Sequence, residues 1–244
     1  MIYHLKSKDN RHIVEAAKLK QAKYRQQEKL FLIEGFHLLE MAVQAKVVEK
    51  VFALKEIESL AADQYLVSEE ILKKLASSQN PQGVVAVCRV QEEKNLSCEH
   101  ILYLDAISDP GNLGTILRTA LAFGYFDVIL SPNSVSAYNE KALSASQGAI
   151  FGLNILNGDL TTLADLKTKG YQIIATALKK SVPLDVVNVQ KKHVVVLGNE
   201  ARGISEEALS LADCAVRIEI SGIDSLNVAV AGGIVLYELT RKSR

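Results

Sequence analysis

The chain contains no tryptophan, four prolines and only three cysteines in 244 residues. Cys88, Cys98 and Cys214 are odd in number and form no CxxC pair, which excludes a disulfide framework. His4, His12, His37, His100 and His193 are scattered without ligand spacing, so no zinc or other metal site is expected. Nothing approaches the roughly 18 uncharged apolar residues of a membrane span. The opening Met1-Ile2-Tyr3-His4-Leu5-Lys6 lacks the basic stretch and apolar run of a secretory signal, so the expected location is the cytosol. There is no GxGxxG after a strand, no GxxxxGK[ST], no HExxH and no GxSxG. Nicotinamide dehydrogenases, P-loop NTPases, zinc proteases and serine hydrolases therefore lose their usual signals. No internal repeat or low-complexity tract is visible.

What is present is an ordinary globular balance, 48% apolar and 23% charged, in a length that suits two modest domains. Net charge is zero, which by itself speaks against a nucleic-acid binder. Its distribution speaks the other way. Residues 1 to 30 hold eight basic side chains (Lys6, Lys8, Arg11, Lys18, Lys20, Lys23, Arg25, Lys29) against Asp9, Glu15 and Glu28. Lys20, Lys23 and Arg25 are the candidates for phosphate contacts with RNA; the alternative is that they form the solvated face of a helix.

From Ile13 to about Gln27 the pattern predicts one basic amphipathic helix. Short elements follow: strand Leu30 to Ile33, helix Phe36 to Ala45, strands Val51 to Leu54 and Tyr65 to Val67. Ser68 before Glu69 and Glu70 marks a capped helix reaching about Ala76. Asn80-Pro81-Gln82-Gly83 then turns the chain into a strand from Val84 to Val87. The polar, aperiodic run Gln91 to Ser97 sets a boundary, giving expected domains 1–96 and 97–244.

Beyond it, six strand-like runs alternate with helical patterns: Ile101 to Leu104, Phe126 to Leu130, Ala149 to Leu153, Tyr171 to Thr176, His193 to Leu197, and Ala215 to Ile220. That alternation predicts an α/β fold with a mostly parallel six-stranded sheet covered on both faces, and ligands bound beyond the carboxyl ends of the strands. Two of its helices carry too little charge for a solvent-facing side. On the helix from Leu113 to Phe123, Arg118 is the sole charge, and the helix from Asn227 to Tyr237 is apolar or small all round. Both face either a partner subunit, an enclosed chain end or a central core.

Three segments at predicted strand ends carry candidate chemistry. In Asp109-Pro110-Gly111-Asn112 and the residues after it, Asn112 reads as an N-cap whose neighbouring amides favour an anion or polar ligand. Arg118 follows, in a position ordinarily held by a surface residue. In Leu197-Gly198-Asn199-Glu200-Ala201-Arg202-Gly203, Gly198 permits close backbone approach to a ligand. Glu200 is placed to accept from a helix start or from Arg118. In Ile218-Glu219-Ile220-Ser221-Gly222-Ile223-Asp224-Ser225-Leu226-Asn227, a hydroxyl and an amide open an otherwise apolar helix.

The order and spacing of Asn112 with Arg118, Leu197-Gly198-x-Glu200-x-x-Gly203 and Ser225-Leu226-Asn227-Val228 resemble the SpoU (TrmH-like) branch of the SPOUT RNA methyltransferases. The N-terminal part resembles that family's accessory substrate-binding domain, through Gln21-x-Lys23-Tyr24-Arg25, Leu30-Phe31-Leu32-Ile33-Glu34-Gly35 and Gln82-Gly83-Val84. Where many members carry Ile-Pro at the start of the third motif, this chain has Ile218-Glu219. The resemblance implies a small N-terminal α/β substrate-binding domain, a C-terminal SPOUT domain with a trefoil knot, and a homodimer. Such knots are exceptions to the rule that chains do not thread loops. It further implies S-adenosylmethionine held around Thr176, Ala177, Gly198, Ile218 and Leu226, with methyl transfer to a ribose 2′-hydroxyl of ribosomal or transfer RNA. Arg118 would meet the acceptor hydroxyl and adjacent phosphate, while Asn112, Glu200, Ser225 and Asn227 fix the geometry. Two rivals remain: a non-catalytic RNA-binding protein that kept the fold, and a base or small-molecule methyltransferase, which would leave the basic N-terminal part without a task.

Overall fold

The computed structural model describes residues 1–243, and they group into two compact units. The first comprises residues 1–92 with residues 138–151. Along the chain it runs β1 (Ile2–His4), α1 (Arg11–Lys18), α2 (Ala22–Glu28), β2 (Leu30–Glu34), α3 (Phe36–Gln44), β3 (Val48–Ala53), β4 (Asp63–Leu66), α4 (Glu69–Leu75) and β5 (Val84–Arg89). Its sheet has the order β1-β4-β3-β5-β2, with β5 antiparallel to both neighbours and the other pairs parallel. Ser68 caps α4 as its position before two glutamates predicts, its hydroxyl accepting from the Ile71 amide at 3.4 Å.

The expected single helix over 13–27 is two. Leu19, Lys20 and Gln21 break it, and the Arg25 guanidinium turns back to donate to the carbonyls of Leu19 (3.0 Å) and Lys20 (2.8 Å). Those carbonyls have lost their helical partners, and a buried side chain satisfies them. Periodicity does not register this, because the apolar stripe of Ile13, Ala16 and Leu19 runs up to the break.

The second unit comprises residues 93–137 and 152 onward. From β6 (His100–Asp105) the chain passes through α5 (Pro110–Ala122) and β7 (Asp127–Leu130), then α6 (Glu140–Ser146), which belongs to the first unit. It returns through β8 (Asn154–Asn157), α7 (Leu160–Thr168), β9 (Gln172–Thr176), β10 (Val182–Pro183), β11 (His193–Gly198), α8 (Glu206–Leu211), β12 (Cys214–Arg217) and α9 (Val228–Ser243). The sheet has seven strands, one more than expected, in the order β10-β12-β9-β11-β6-β7-β8, and every pair is parallel. The extra strand is the two-residue β10 at the edge, where a proline costs no ladder bond. Both central strands, β11 and β6, are buried almost throughout, as expected of a sheet covered on two faces.

The strand expected at Ala149–Leu153 is instead a 3-10 turn over Ala149–Gly152, and β8 begins at Asn154. The apolar run there serves the first unit's core, with Phe151 stacked 6.4 Å from Phe31, while the true edge strand is only half-buried. Helix α9 begins at Val228, with Asn227 accepting from the amides of Ala229 (2.9 Å) and Val230 (3.3 Å). Gly232 brings it close to the sheet: a Cβ there would meet Leu197 at 2.8 Å. Its opposite side is not covered by the described residues. Val230, Ile234 and Tyr237, one turn apart, are 53%, 39% and 55% exposed.

Candidate active site

The three motif segments converge beyond the carboxyl ends of β6, β9, β11 and β12, where open α/β sheets place their ligands. A cavity of about 460 Å³ lies there, within the range of small-molecule sites. Thr176 and Ala177 at the end of β9, Gly198 at the end of β11, and Ile218 and Leu226 beyond β12 all line it, together with Glu200 and Ser225. Gly198 admits no substitute. A Cβ would lie 2.3 Å from the carbonyl carbon of Gly203 and 2.3 Å from the Ile204 nitrogen. The loop after β11 folds back on itself at this point, with Asn199 and Gly203 exchanging two backbone bonds of 2.9 Å.

Glu200 organises the rim. Its carboxylate accepts from the amide and hydroxyl of Ser108 (3.2 and 2.8 Å), the amide of Asp109 (3.1 Å) and the Asn112 side chain (3.1 Å). Burial pushes its pKa up, but hydrogen bonds from its own amide, Asn112, Asp109 and Ser108 outweigh that and hold it down at about 2. Asn112 in turn accepts from the Asn227 amide at 2.9 Å, so one relay joins all three segments. This is the helix-start contact foreseen for Glu200; no bond from Arg118 takes part.

One local expectation is corrected. The N-cap of α5 is Asp109, which accepts from the Asn112 amide at 2.7 Å and is followed by Pro110 in the first turn. Proline's fixed φ and missing N–H suit that position, so the Asp-Pro pair is the sequence signal that points to Asp109 over Asn112. With capping done by Asp109, the Asn112 side chain is free to bridge Glu200 and Asn227.

Two participants escaped the sequence reading, Ser108 and Asn199. Asn199 donates to the Ala106 carbonyl at 2.7 Å and accepts from the amides of Ala201 and Arg202 (3.0 and 3.1 Å). Ala106 sits at φ 57°, a left-handed conformation that a side chain resists, held by Asn199 on one side and Ser131 on the other (2.8 Å). No local pattern marks such a long-range tie. Arg118 lies outside the cavity lining, exposed on α5 and without an ion pair among the described residues. Arg217, at the end of β12, lines the cavity and lies 3.6 Å from Glu219, the residue in place of the family's proline.

Among the expected RNA contacts, Lys23 is exposed and Lys20 donates to the Ala76 carbonyl at 2.6 Å. Arg25 is only 8% exposed and occupied by the two carbonyls at the α1–α2 corner. Among the described residues no group of three or more His, Cys, Asp or Glu could hold a metal ion, and no helix is long and apolar enough to cross a membrane.

Residues 99–237 match the SpoU rRNA methylase family, and residues 10–86 match the MRM3-like substrate binding domain. The chain belongs to the SpoU rRNA methylase family. It is 32% identical over 243 residues to the Bacillus subtilis 23S rRNA (guanosine(2553)-2′-O)-methyltransferase RlmP, covering 96% of this chain and 98% of that one. Among solved structures, an RNA 2′-O ribose methyltransferase shares 30% identity at a TM-score of 0.84, covering 98% of both chains. An AdoMet-bound rRNA methyltransferase from Sinorhizobium meliloti shares 27% identity at a TM-score of 0.89, again covering 98% of both. The SpoU match spans every cavity-lining residue named above, together with the Glu200–Asn112–Asn227 relay.

Proposed function

We propose that this chain is an S-adenosylmethionine-dependent RNA methyltransferase that modifies a ribose 2′-hydroxyl of ribosomal or transfer RNA, and that it works in the cytosol as a homodimer. The observation that carries this reading is that the second and third motif segments line one cavity and are tied to the first by the Glu200–Asn112–Asn227 relay. Support comes from the relatives named as RNA 2′-O-methyltransferases over nearly the full length. The cavity fits the cofactor: backbone is laid bare at Gly198, and Ile218 and Leu226 offer apolar walls beside the polar Thr176 and Ala177 backbone. S-adenosylmethionine, when bound, supplies an electrophilic methyl group on its sulfonium. A trefoil knot formed around α9 is part of the proposal, consistent with the return of the chain from edge-side β12 to pack α9 against central β11 and α5.

The residues then divide the work. Glu200, with a pKa near 2, is an anion at neutral pH and a feeble base, so its task is to hold the start of α5 and Asn112 in place. Asn112, Asn227 and Ser225 orient the acceptor ribose at the rim. Arg118 contributes by gripping phosphate and stabilising the developing oxyanion. Exposed and outside its own cavity, it would serve the cavity of the second subunit. A non-catalytic RNA-binding protein would have no use for such a cavity or relay.

The test is transfer of labelled methyl from S-adenosylmethionine to ribosomal and transfer RNA, with nuclease digestion to locate the label on the ribose. Arg118→Ala should lower single-turnover rates about 100-fold or more while the melting temperature stays within about a degree or two, and Arg118→Lys should rescue little. Failure of the wild-type chain to label either RNA overturns the function, and wild-type rates in Arg118→Ala overturn the role given to that arginine.

A further inference from the structure

The first unit contains a second cavity, of about 270 Å³, that the transfer chemistry does not use. It lies where the amino end of α3 meets the 77–82 loop and α6, and it is lined by Glu34, Gly35, His37, Asn80, Gln82 and Glu140 among others. These include Glu34-Gly35 and Gln82, sequence features to which the methyl-transfer site assigns no work. Its volume is just below the roughly 300 Å³ at which drug-sized sites begin, so it has room for a single ring system.

Its walls are rigid. Glu34 accepts from the amides of Ser77 (2.8 Å) and Ser78 (3.1 Å) and from both hydroxyls, which pins the 77–78 corner. His37 bonds the Gln147 carbonyl at 3.3 Å, pinning the α6 side. Gly35, at φ +95°, leaves no side chain between α3 and Gln82; a Cβ there would lie 2.5 Å from the Gln82 Oε1.

The lining contains two carboxylates and no lysine or arginine, so a phosphate group would be repelled. One acceptor in its lining is unpaired. The Glu140 Oε1 atom is buried without a hydrogen-bond partner; Arg25, whose Nε is likewise unpartnered, acts on it through space and not through a bond. An orphaned buried carboxylate oxygen calls for an N–H group from elsewhere. Beside the cavity, between Gly35 and His37, the Phe36 ring is 53% exposed and borders Gly83, where a Cβ would lie 3.8 Å away. An aromatic face next to a pocket with hydrogen-bonding side chains is how proteins take up unpaired bases.

We propose that this cavity receives one unpaired base of the RNA substrate, stacked against Phe36, with its N–H edge on Glu140, and that guanine, which presents adjacent N1–H and N2–H groups, is preferred. The proposal rests on the reading of the chain as an RNA-modifying enzyme and adds a base-selective site built by the first unit alone. Phosphate contacts by lysines give affinity without regard to base, whereas this pocket gives base preference.

The test uses the full chain and four fluorescently labelled heptaribonucleotides, UUUGUUU, UUUAUUU, UUUCUUU and UUUUUUU, with affinities read by anisotropy at fixed and at varied salt. Wild-type protein should favour the guanine strand over the all-uridine strand by about tenfold, the scale of one stacked base. Phe36→Ala should abolish most of that gain with the salt slope unchanged. Glu140→Gln, a near-isosteric change, should remove the preference for guanine over adenine. If both variants bind the four strands as wild type does while methyl transfer to RNA is intact, the pocket has no role in base recognition and the proposal is overturned, with the enzymatic reading standing. If the wild-type chain binds no strand and methylates no RNA, both are overturned together.

Discussion

Buried at the amino end of β11, opposite the candidate active site, His193 stacks 4.6 Å from His100 and has no exposed surface. Its Nδ1–H donates to the Gln190 carbonyl (2.9 Å), and Nε2 lies 2.7 Å from the Tyr125 hydroxyl, from which it accepts when the ring is neutral. Burial lowers its pKa to about 4, with the neighbouring His100 adding to that and the backbone carbonyls opposing it. Between about pH 4 and the ordinary histidine range near 6.5, the unfolded chain binds a proton that the folded chain refuses. Stability therefore falls as pH is lowered through that window, by up to about 3 kcal/mol from this group. Chemical denaturation of wild type and His193→Gln at several pH values should show a shallower loss in the variant; parallel curves would dismiss His193 as the source. From the sequence His193 was one scattered histidine among five. Only the register that sets it beside His100 and beneath Tyr125 makes it a buried neutral base.

Helices α5 and α9 show what an apolar pattern can and cannot say. Both carry more apolar surface than one sheet can cover. The structure accounts for half of α9, through Ala229, Gly232, Val235, Leu236 and Leu239, and leaves Val230, Ile234 and Tyr237 in the open. A stripe at this spacing, on a helix with no charge before Glu238, is a surface that wants a partner. If it is the seam of a homodimer, Ile234→Glu should convert a dimer to a monomer in light scattering at micromolar concentration, and methyl transfer should fall with it. A wild-type chain that runs as a monomer under the same conditions would remove the seam. The 149–153 run differs from its expected strand because local hydrophobicity reports that a segment is buried, and not which unit buries it, whereas the α1–α2 break turns on carbonyls that Arg25 satisfies.

Over the whole molecule the formal charge is zero, yet the first 30 residues carry a net +5. Phosphate contacts release counterions, so their number is read from the salt dependence of binding. Lys23 is exposed, Lys20 is held only by one carbonyl, and Arg25 is committed to the α1–α2 corner. Replacing Lys20 and Lys23 by Ala should therefore reduce the slope of log affinity against log salt by roughly 1.4, at about 0.7 per contact to single strands. Arg25→Ala should act mainly through a lower melting temperature, since it strands two buried carbonyls. An unchanged slope in the lysine double variant would make this face merely solvated.

Much of the architecture is legible without coordinates because it depends on short-range chemistry. Alternating apolar strands and capped helices define an α/β chain, and Gly198, Glu200, Ser225 and Asn227 stand at strand and helix ends where ligands bind. The tertiary structure alone decided how these residues meet. Glu200 and Asn112 are 88 positions apart and Asn112 and Asn227 are 115 apart, so only strand order brings them within hydrogen-bond reach. It also decided that Asp109 and not Asn112 caps α5, and that Arg25 faces inward. Propensity and periodicity act over a few residues, whereas a carbonyl freed at a helix break or a carboxylate beyond a strand end takes its partner from whatever the folded chain places nearby.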